Sequence, residues 1–266
     1  MNTESEFVAH EPCNNCGSSD ANSRYSDGHA YCFACHTYSP ADDWTHTHTQ
    51  MNTNERVQFL GSAEQLQKRR ISEATNSFYR IYRHGNTLRF PYYNASGQVV
   101  GFKIKTKSKD FHYEGSSSDQ LFGQHLFPTS GKRIVITEGE LDAASCYEVM
   151  SGWPMVSLPH GAAAAKKDLQ KAIPFLQGYQ EIVLFFDNDD AGREAVESAS
   201  SILPAGRVKI ARLDAYKDAS DALQADDKDA IRRAIWDAKP YRPDGIVDGK
   251  NLMALVTEPT KTCDHE

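Results

Sequence analysis

Four cysteines near the start of the chain, Cys13, Cys16, Cys32 and Cys35, form two Cys-x-x-Cys pairs with fifteen residues between them. That is the spacing of a four-thiolate zinc site. A redox dithiol needs one such pair rather than two, and disulfides are disfavoured where the opening residues carry no export signal. Structural zinc is therefore expected. A second set of residues lies far downstream: Glu138, Asp187, Asp189 and Asp218 each follow a short β-branched run. Closely grouped carboxylates repel one another and are hard to desolvate, so such a set needs divalent cations, and hard oxygen ligands with no spare Cys or His favour magnesium or manganese. Two such ions about 4 Å apart can activate an attacking oxygen and stabilise a leaving one, the arrangement of phosphoryl and nucleotidyl transfer. For Asp189, beside Asp190 and Gly192, a helix N-terminus with acids on its first turn is the competing reading.

The elements that must position these groups follow from local pattern. Asn22 to Ser26 and His29 to Tyr31 flank Asp27-Gly28, a dipeptide suited to a hairpin turn. That makes a zinc ribbon too small to bury a core of its own, so metal must supply much of its folding free energy. With one Arg and seven acids in residues 1–52, the ribbon cannot hold DNA through phosphates. A role there rests on base contacts, for which His29, Asp27, Tyr31, Tyr38 and Trp44 are candidates; singly, each is as well read as cover for the metal core or as a solvated turn residue.

Downstream, Ile134 to Thr137, Met155 to Leu158, Ile182 to Phe186 and Val208 to Leu213 read as strands separated by helical stretches, with Ala191, Ala195, Val196, Ala199 and Ile202 as one apolar helix stripe. A parallel α/β sheet covered by helices follows, with ligands gathering at the carboxyl ends of its strands, where the acids stand.

The formal charge of -7 argues against nucleic acid until its distribution is considered. Residues 53–112 carry eleven Lys and Arg against four acids, near +7, the expected footprint for phosphate. Within them Thr87 to Tyr93, a turn at Asn94 to Gly97, and Gln98 to Lys105 read as a strand pair. Lys103, Lys105, Lys107 and Lys109 follow at intervals of two, which in a strand places them on one face. They are either the lysines of a protected edge strand or a grip for triphosphate or template. Glu64 to Thr75 reads as a helix that bears Lys68, Arg69 and Arg70. Expected divisions are a zinc ribbon over 1–38, a flexible linker over 39–54, a basic α+β subdomain over 55–130, the acidic α/β domain over 131–240 and a tail over 241–266. His46 and His48 fall in the linker, as does Met51, a possible second start. No apolar run approaches the length of a membrane span, and a reducing compartment is expected. Cys146 and Cys263 read as ordinary thiols.

Thr137-Glu138-Gly139-Glu140-Leu141-Asp142 and Phe186-Asp187-Asn188-Asp189-Asp190-Ala191-Gly192 resemble the Toprim domain shared by primases, topoisomerases and some nucleases. Upstream, Arg89-Phe90-Pro91, Gly97, Val99 to Lys103 and Leu121-Phe122-Gly123 resemble the DnaG-type primases. The order of ribbon, basic subdomain, Toprim and Lys217-Asp218 is similar to the primase half of fused phage primase-helicases, over residues 10–245. The resemblance implies a DNA primase that makes short RNA primers from ribonucleoside triphosphates on single-stranded DNA, in the cytoplasm of an infected bacterial cell, with a replicative helicase and a DNA polymerase acting in trans. It implies that Glu138, Asp187, Asp189 and Asp218 handle magnesium or manganese. Lys103 and Lys109 would contact nucleotide or primer, with Lys105 beside them and Arg69 near substrate, and His29 would help read the template. No Gly-x-x-x-x-Gly-Lys-Ser/Thr loop occurs, so a helicase motor is not expected within these residues. A Toprim nuclease or topoisomerase, and a non-catalytic zinc-and-Toprim recombination mediator, remain as alternatives.

Overall fold

Asp27-Gly28 does turn the chain: Gly28 takes φ +90° and the Tyr25 carbonyl accepts from its N–H at 2.9 Å. The flanking strands are β2 (Asn22–Tyr25) and β3 (Ala30–Cys32), and two further strands not expected from the sequence, β1 (Phe7–Glu11) and β4 (Tyr38–Ser39), complete an antiparallel sheet in the order β1-β2-β3-β4. The computed structural model describes residues 5–13, 16–39, 59–108, 110–116 and 119–242. They divide into two units, one up to Gln58 and one from Phe59. Ser39, expected to open the linker, closes β4; linker residues 40–54, including Trp44, His46, His48 and Met51, lie outside the described residues, as do Lys109, Cys263 and tail residues 243–266.

In the second unit the basic stretch folds as β5 (Tyr82–His84), β6 (Thr87–Tyr93), β7 (Val99–Lys105) and β8 (Phe111–Gly115), antiparallel in that order. β7 is thus an inner strand and not a protected edge. The lysine row breaks at Lys105, because Thr106, Ser108 and Asp110 form a hydrogen-bonded turn: the Asp110 carbonyl accepts from Thr106 N–H at 3.0 Å, and Ser108 donates to the Asp110 carboxylate at 2.5 Å. Lys107 stands in that turn rather than on the strand face.

The helix expected over Glu64 to Thr75 is a second correction. A short 3-10 turn, Gln67–Arg69, ends at Arg70 with φ +56°, Leu66 bridges to Ile71, and the helix proper is Glu73–Tyr79. Ser72 starts it, its hydroxyl accepting from Thr75 N–H at 3.2 Å while donating to Glu148 at 2.8 Å. Capping residues of this kind set a helix start against the average propensity of the stretch.

The acidic half is a five-stranded sheet in the order β10-β9-β11-β12-β13, from β9 (Gly131–Thr137), β10 (Met155–Ser157), β11 (Tyr179–Phe185), β12 (Val208–Ile210) and β13 (Lys239–Pro240). The first four are parallel and β13 is antiparallel. Period-two alternation sends Ile134, Ile136, Ile182 and Leu184 to one face, against helices Ala165–Leu176 and Asp190–Ser200. Val135, Val183 and Phe185 go to the other, against Glu140–Val149, Ala219–Gln224 and Lys228–Trp236. Burial on both faces is what a parallel sheet with crossover helices requires. Ala195, Val196 and Ala199 are buried as expected, whereas Ala191 is exposed and Ile202 lies beyond the helix, half-buried. Tyr79, Phe90, Tyr92 and Phe122 join the Val135 face in one core, so the basic sheet and the parallel sheet share an interior.

Candidate active site

Separate strand ends deliver the carboxylates to one rim. Glu138 directly follows β9 and Asp187 lies two residues past β11. Asp218 ends the loop from β12 and caps Ala219–Gln224, its Oδ1 accepting from Asp221 N–H at 2.7 Å. Asn188 ties two of these loops together: its N–H donates to the Lys217 carbonyl at 2.8 Å and its side-chain amide to the Leu213 carbonyl at 2.9 Å. Gly192 lets the next helix start against this loop, since a Cβ there would stand 2.1 Å from the Asp187 carbonyl oxygen.

Carboxylate oxygens of Asp142, Asp187 and Asp218 lie within 4.8 Å of one another. Asp142 was not singled out from the sequence, because it sits inside a helix rather than at a strand end, and an acid on a first helical turn is ordinary. Its place in the Glu-x-x-x-Asp pattern after β9, one turn beyond Glu138, was the available signal. Its Oδ1 accepts from Ser220 N–H at 3.0 Å, and a Cβ on Gly139 would come within 2.8 Å of its Oδ2. Burial, then Asp218 and Asp187, push the Asp142 carboxyl well above the usual range. Burial, then Asp187, raise Glu138, and burial together with Asp218 raises Asp187 although Lys217 opposes it. Lys217 reaches Asp187 and Asp189 at 3.2 Å each, an internal counterion whose own affinity for its proton rises in consequence, Asp189 first.

Asp189 behaves differently. Its Oδ1 accepts from Gly192 N–H at 2.9 Å as cap of Asp190–Ser200, and this bond, followed by Lys217, lowers its carboxyl. It stands at the rim as a cap and Lys217 partner, outside the trio. The Glu138 Oε2, by contrast, is buried with no hydrogen-bond partner. A buried orphan oxygen beside three mutually repelling carboxylates fits a hard divalent cation of the magnesium or manganese class.

Glu138, Asp142, Asp187, Asp218 and Lys217 line a cleft of about 810 Å³, together with Arg69, Lys103, Lys105 and His160. Arg69 donates to Ser220 Oγ at 2.8 Å. Lys103 is nearly buried: its ammonium lies 2.8 Å from Glu140 Oε1 and 2.9 Å from the Pro159 carbonyl, which accepts from it, and Tyr92 O–H donates to the same Glu140 oxygen at 2.6 Å. That partner was invisible in the sequence, being 37 positions away with no local pattern. Lys105 shares Phe111 with Lys103 and is lowered by burial, then by Arg69. Lys68 and Lys107 do not line this cleft.

In the ribbon, the four sulfurs also lie within 4.8 Å of one another, with Cys13–Cys35 and Cys16–Cys32 both at 3.7 Å. A tetrahedron of zinc–sulfur bonds of about 2.3 Å has edges of about 3.8 Å, and a disulfide would need about 2.05 Å. The residues therefore fit zinc. The Thr37 hydroxyl at 3.1 Å holds the Cys35 thiol down at about 6, toward the thiolate a metal needs. His29 Nδ1 donates to the Asp27 carboxylate at 2.5 Å, and the ring stacks on Tyr25 at 4.4 Å and lies 5.5 Å from Tyr38, which is 60% exposed. Asp27, His29 and Tyr38 thus form one patch, to which the structure adds Tyr25. Tyr31 instead bonds His36 at 3.0 Å and packs on Phe33.

The Toprim-like family model matches residues 135–223. The DNA helicase/primase of Enterobacteria phage T3 is 39% identical over 96% of this chain, and the chain spans about half of it, 48%. Among solved structures, the primase fragment of the bacteriophage T7 primase-helicase is 36% identical with a TM-score of 0.62, covering 86% of this chain and 100% of that one. A structure of T7 lagging-strand DNA polymerase interacting with primase domains bound to an RNA/DNA hybrid and dTTP matches at 36% identity and a TM-score of 0.64, over 68% of this chain and 94% of that one. With its zinc-type ribbon, its shared two-sheet core and its carboxylate rim, the chain belongs to the DnaG-type Toprim primase family and is similar to the primase half of the fused phage primase-helicases.

Proposed function

We propose that this protein is a DNA primase that joins ribonucleoside triphosphates into short RNA primers on single-stranded DNA. The observation that carries the reading is the meeting of Asp142, Asp187 and Asp218, beside Glu138, in a cleft walled by Arg69, Lys103 and Lys105. Glu138, Asp142, Asp187 and Asp218 would hold magnesium or manganese, which when bound supplies activation of the attacking hydroxyl and neutralises charge on the leaving pyrophosphate. The protein's own groups do the rest. Lys105 and Arg69, which line the same cleft, offer cations to the phosphates. Lys103, fixed by Glu140 and the Pro159 carbonyl, holds its charge in one place without reorganisation during the reaction. Asn188 keeps the Asp187 and Asp218 loops in register, and Lys217 offsets carboxylate repulsion. Lys109 would complete the phosphate grip.

The ribbon, which holds structural zinc, reads the template through the Tyr25, His29 and Tyr38 patch with Asp27, while base pairing selects each nucleotide; Trp44 and Tyr31 are further candidates for base contact. A replicative helicase and a DNA polymerase are the partners, by analogy with the T3 and T7 relatives, and the cytoplasm of an infected bacterium is the setting. No helix among the described residues is long and apolar enough to cross a membrane.

The test is incorporation of labelled ribonucleotides on random single-stranded DNA with magnesium or manganese, with and without chelator. Short, template-dependent, chelator-sensitive RNA supports the reading. Cleavage of the DNA without synthesis replaces it with a Toprim nuclease, and binding without turnover replaces it with a recombination mediator.

A further inference from the structure

The loop after β10 brings one more chemical group to the cleft. Asp168, on the first turn of helix Ala165–Leu176, is a carboxylate only 4% exposed, and both of its oxygens are committed to one neighbour: Oδ2 accepts from His160 N–H at 3.2 Å and Oδ1 from His160 Nδ1 at 2.9 Å. A carboxylate accepts and does not donate, so a ring proton sits on Nδ1, and a ring that carries only that proton presents Nε2 as an acceptor. His160 lines the catalytic cleft, its side chain one-third exposed there.

The surroundings fix this residue as firmly as the acids. Pro159, one residue earlier, accepts from Lys103 at 2.9 Å and from Tyr113 O–H at 2.7 Å. One residue later Gly161 stands beside Glu138, where a Cβ would lie 3.9 Å from its Oε1. The Tyr113 ring lies 5.9 Å from the His160 ring, a flat apolar wall beside a single acceptor. With the single ring proton on Nδ1, Nε2 has none to offer a phosphate, so its partner is a donor. Of the groups a nucleotide brings into such a cleft, the base edge is engaged by the template and the phosphates only accept. The remaining donors are the sugar hydroxyls.

Resting on the primase reading, we propose that His160 is a specificity-determining residue that accepts a hydrogen bond from the ribose 2′-hydroxyl of the bound nucleotide, and that Asp168 is the positioning residue that keeps Nε2 an acceptor. A site built to bond a hydroxyl rejects the analogue that lacks it far more strongly than a site that merely tolerates it, and the 2′-hydroxyl is the group by which RNA and DNA precursors differ.

The experiment measures kcat/KM for template-directed addition of ribo- and 2′-deoxyribonucleotides to a preformed RNA primer on single-stranded DNA, using the full chain with zinc and magnesium. In the parent protein ribonucleotides are preferred. His160→Ala lowers the ribonucleotide rate at least about tenfold and leaves the deoxyribonucleotide rate within about twofold, collapsing the preference. His160→Gln, which keeps an acceptor, recovers part of it. Asp168→Asn, which frees the tautomer, gives the same selective loss in smaller degree. Equal loss with both sugars overturns the proposal, since it makes the pair a brace for the Glu138 and Lys103 loop, and so does an unchanged preference. A parent protein that adds neither nucleotide refutes the primase reading itself, a result separate from either of these.

Discussion

The ribbon and the rim each gather groups for a metal, and they stand in opposite relations to their own folding. In the ribbon the buried described residues are Cys13, Ser23, Ala30 and Cys32, two of them the ligands themselves. Among the described residues no apolar interior holds the sheet, so a metal would supply what a core does elsewhere. At the rim the fold is secured by layers on both faces of the parallel sheet, and the carboxylates work against it: burial and mutual repulsion raise Glu138, Asp142 and Asp187. One site makes its fold, and the other is imposed by a fold that would be steadier without it.

The largest effect that tests this contrast is on the ribbon. Cys32→Ser should abolish zinc uptake and, with roughly 10 kcal/mol of metal-linked folding energy gone, the amide protection of β1 to β4. Melting of the second unit should stay where it was. Hydrogen exchange and metal analysis read both, and a protected ribbon without zinc would break the comparison from its first side.

Next is the rim. Asp142→Asn should cut primer synthesis on the order of 10³-fold while raising the melting temperature of the metal-free protein by about 2–4 °C. The sign follows from the raised carboxyls: the stability they confer when neutral is fully present below about pH 4, their unfolded range, and is lost as pH rises through their elevated folded values. At neutral pH the acids are therefore a burden, and removing one relieves it. Magnesium should stabilise the parent protein more than the variant. A variant that melts lower in chelator at neutral pH would show the acids to be part of the scaffold.

Gly192→Ala is a smaller perturbation. The new methyl meets the Asp187 carbonyl, and a loss of about 1–3 kcal/mol in denaturant unfolding is expected, with weaker synthesis in proportion to the displaced carboxylate. Smallest is Ser72→Ala, about 1 kcal/mol from a lost helix cap that does not line the cleft, with turnover under saturating substrate unchanged. If it slowed synthesis as much as Gly192→Ala, the scaffold and rim would not be separable as described.

What could be read in advance divides along the same line. The four cysteines declare themselves because their spacing is local, and the strands with Glu138, Asp187 and Asp218 at their ends because a parallel sheet has strong periodicity and one functional edge. Asp142 looked like any acid in a first turn, since only the fold brings it to Asp218. Lys103 read either as one of a row on a protected edge strand or as a phosphate grip, and its burial against Glu140 belonged to neither reading. Ser72 and Ile71 ended the expected helix at Glu64 to Thr75 by a cap and a buried bridge that helix-forming neighbours concealed. Local chemistry was legible, and long-range pairing such as Lys103 with Glu140 was not.

The shared interior of the two sheets limits how this protein can be rebuilt. A truncation beginning at Gly131 would keep every rim acid yet strip Tyr79, Phe90, Tyr92 and Phe122 from the Val135 face and leave Glu140 buried beside no lysine. The Toprim half is therefore not a transplantable cassette here; grafting it elsewhere means supplying a new apolar cover for that face and a new cation for Glu140.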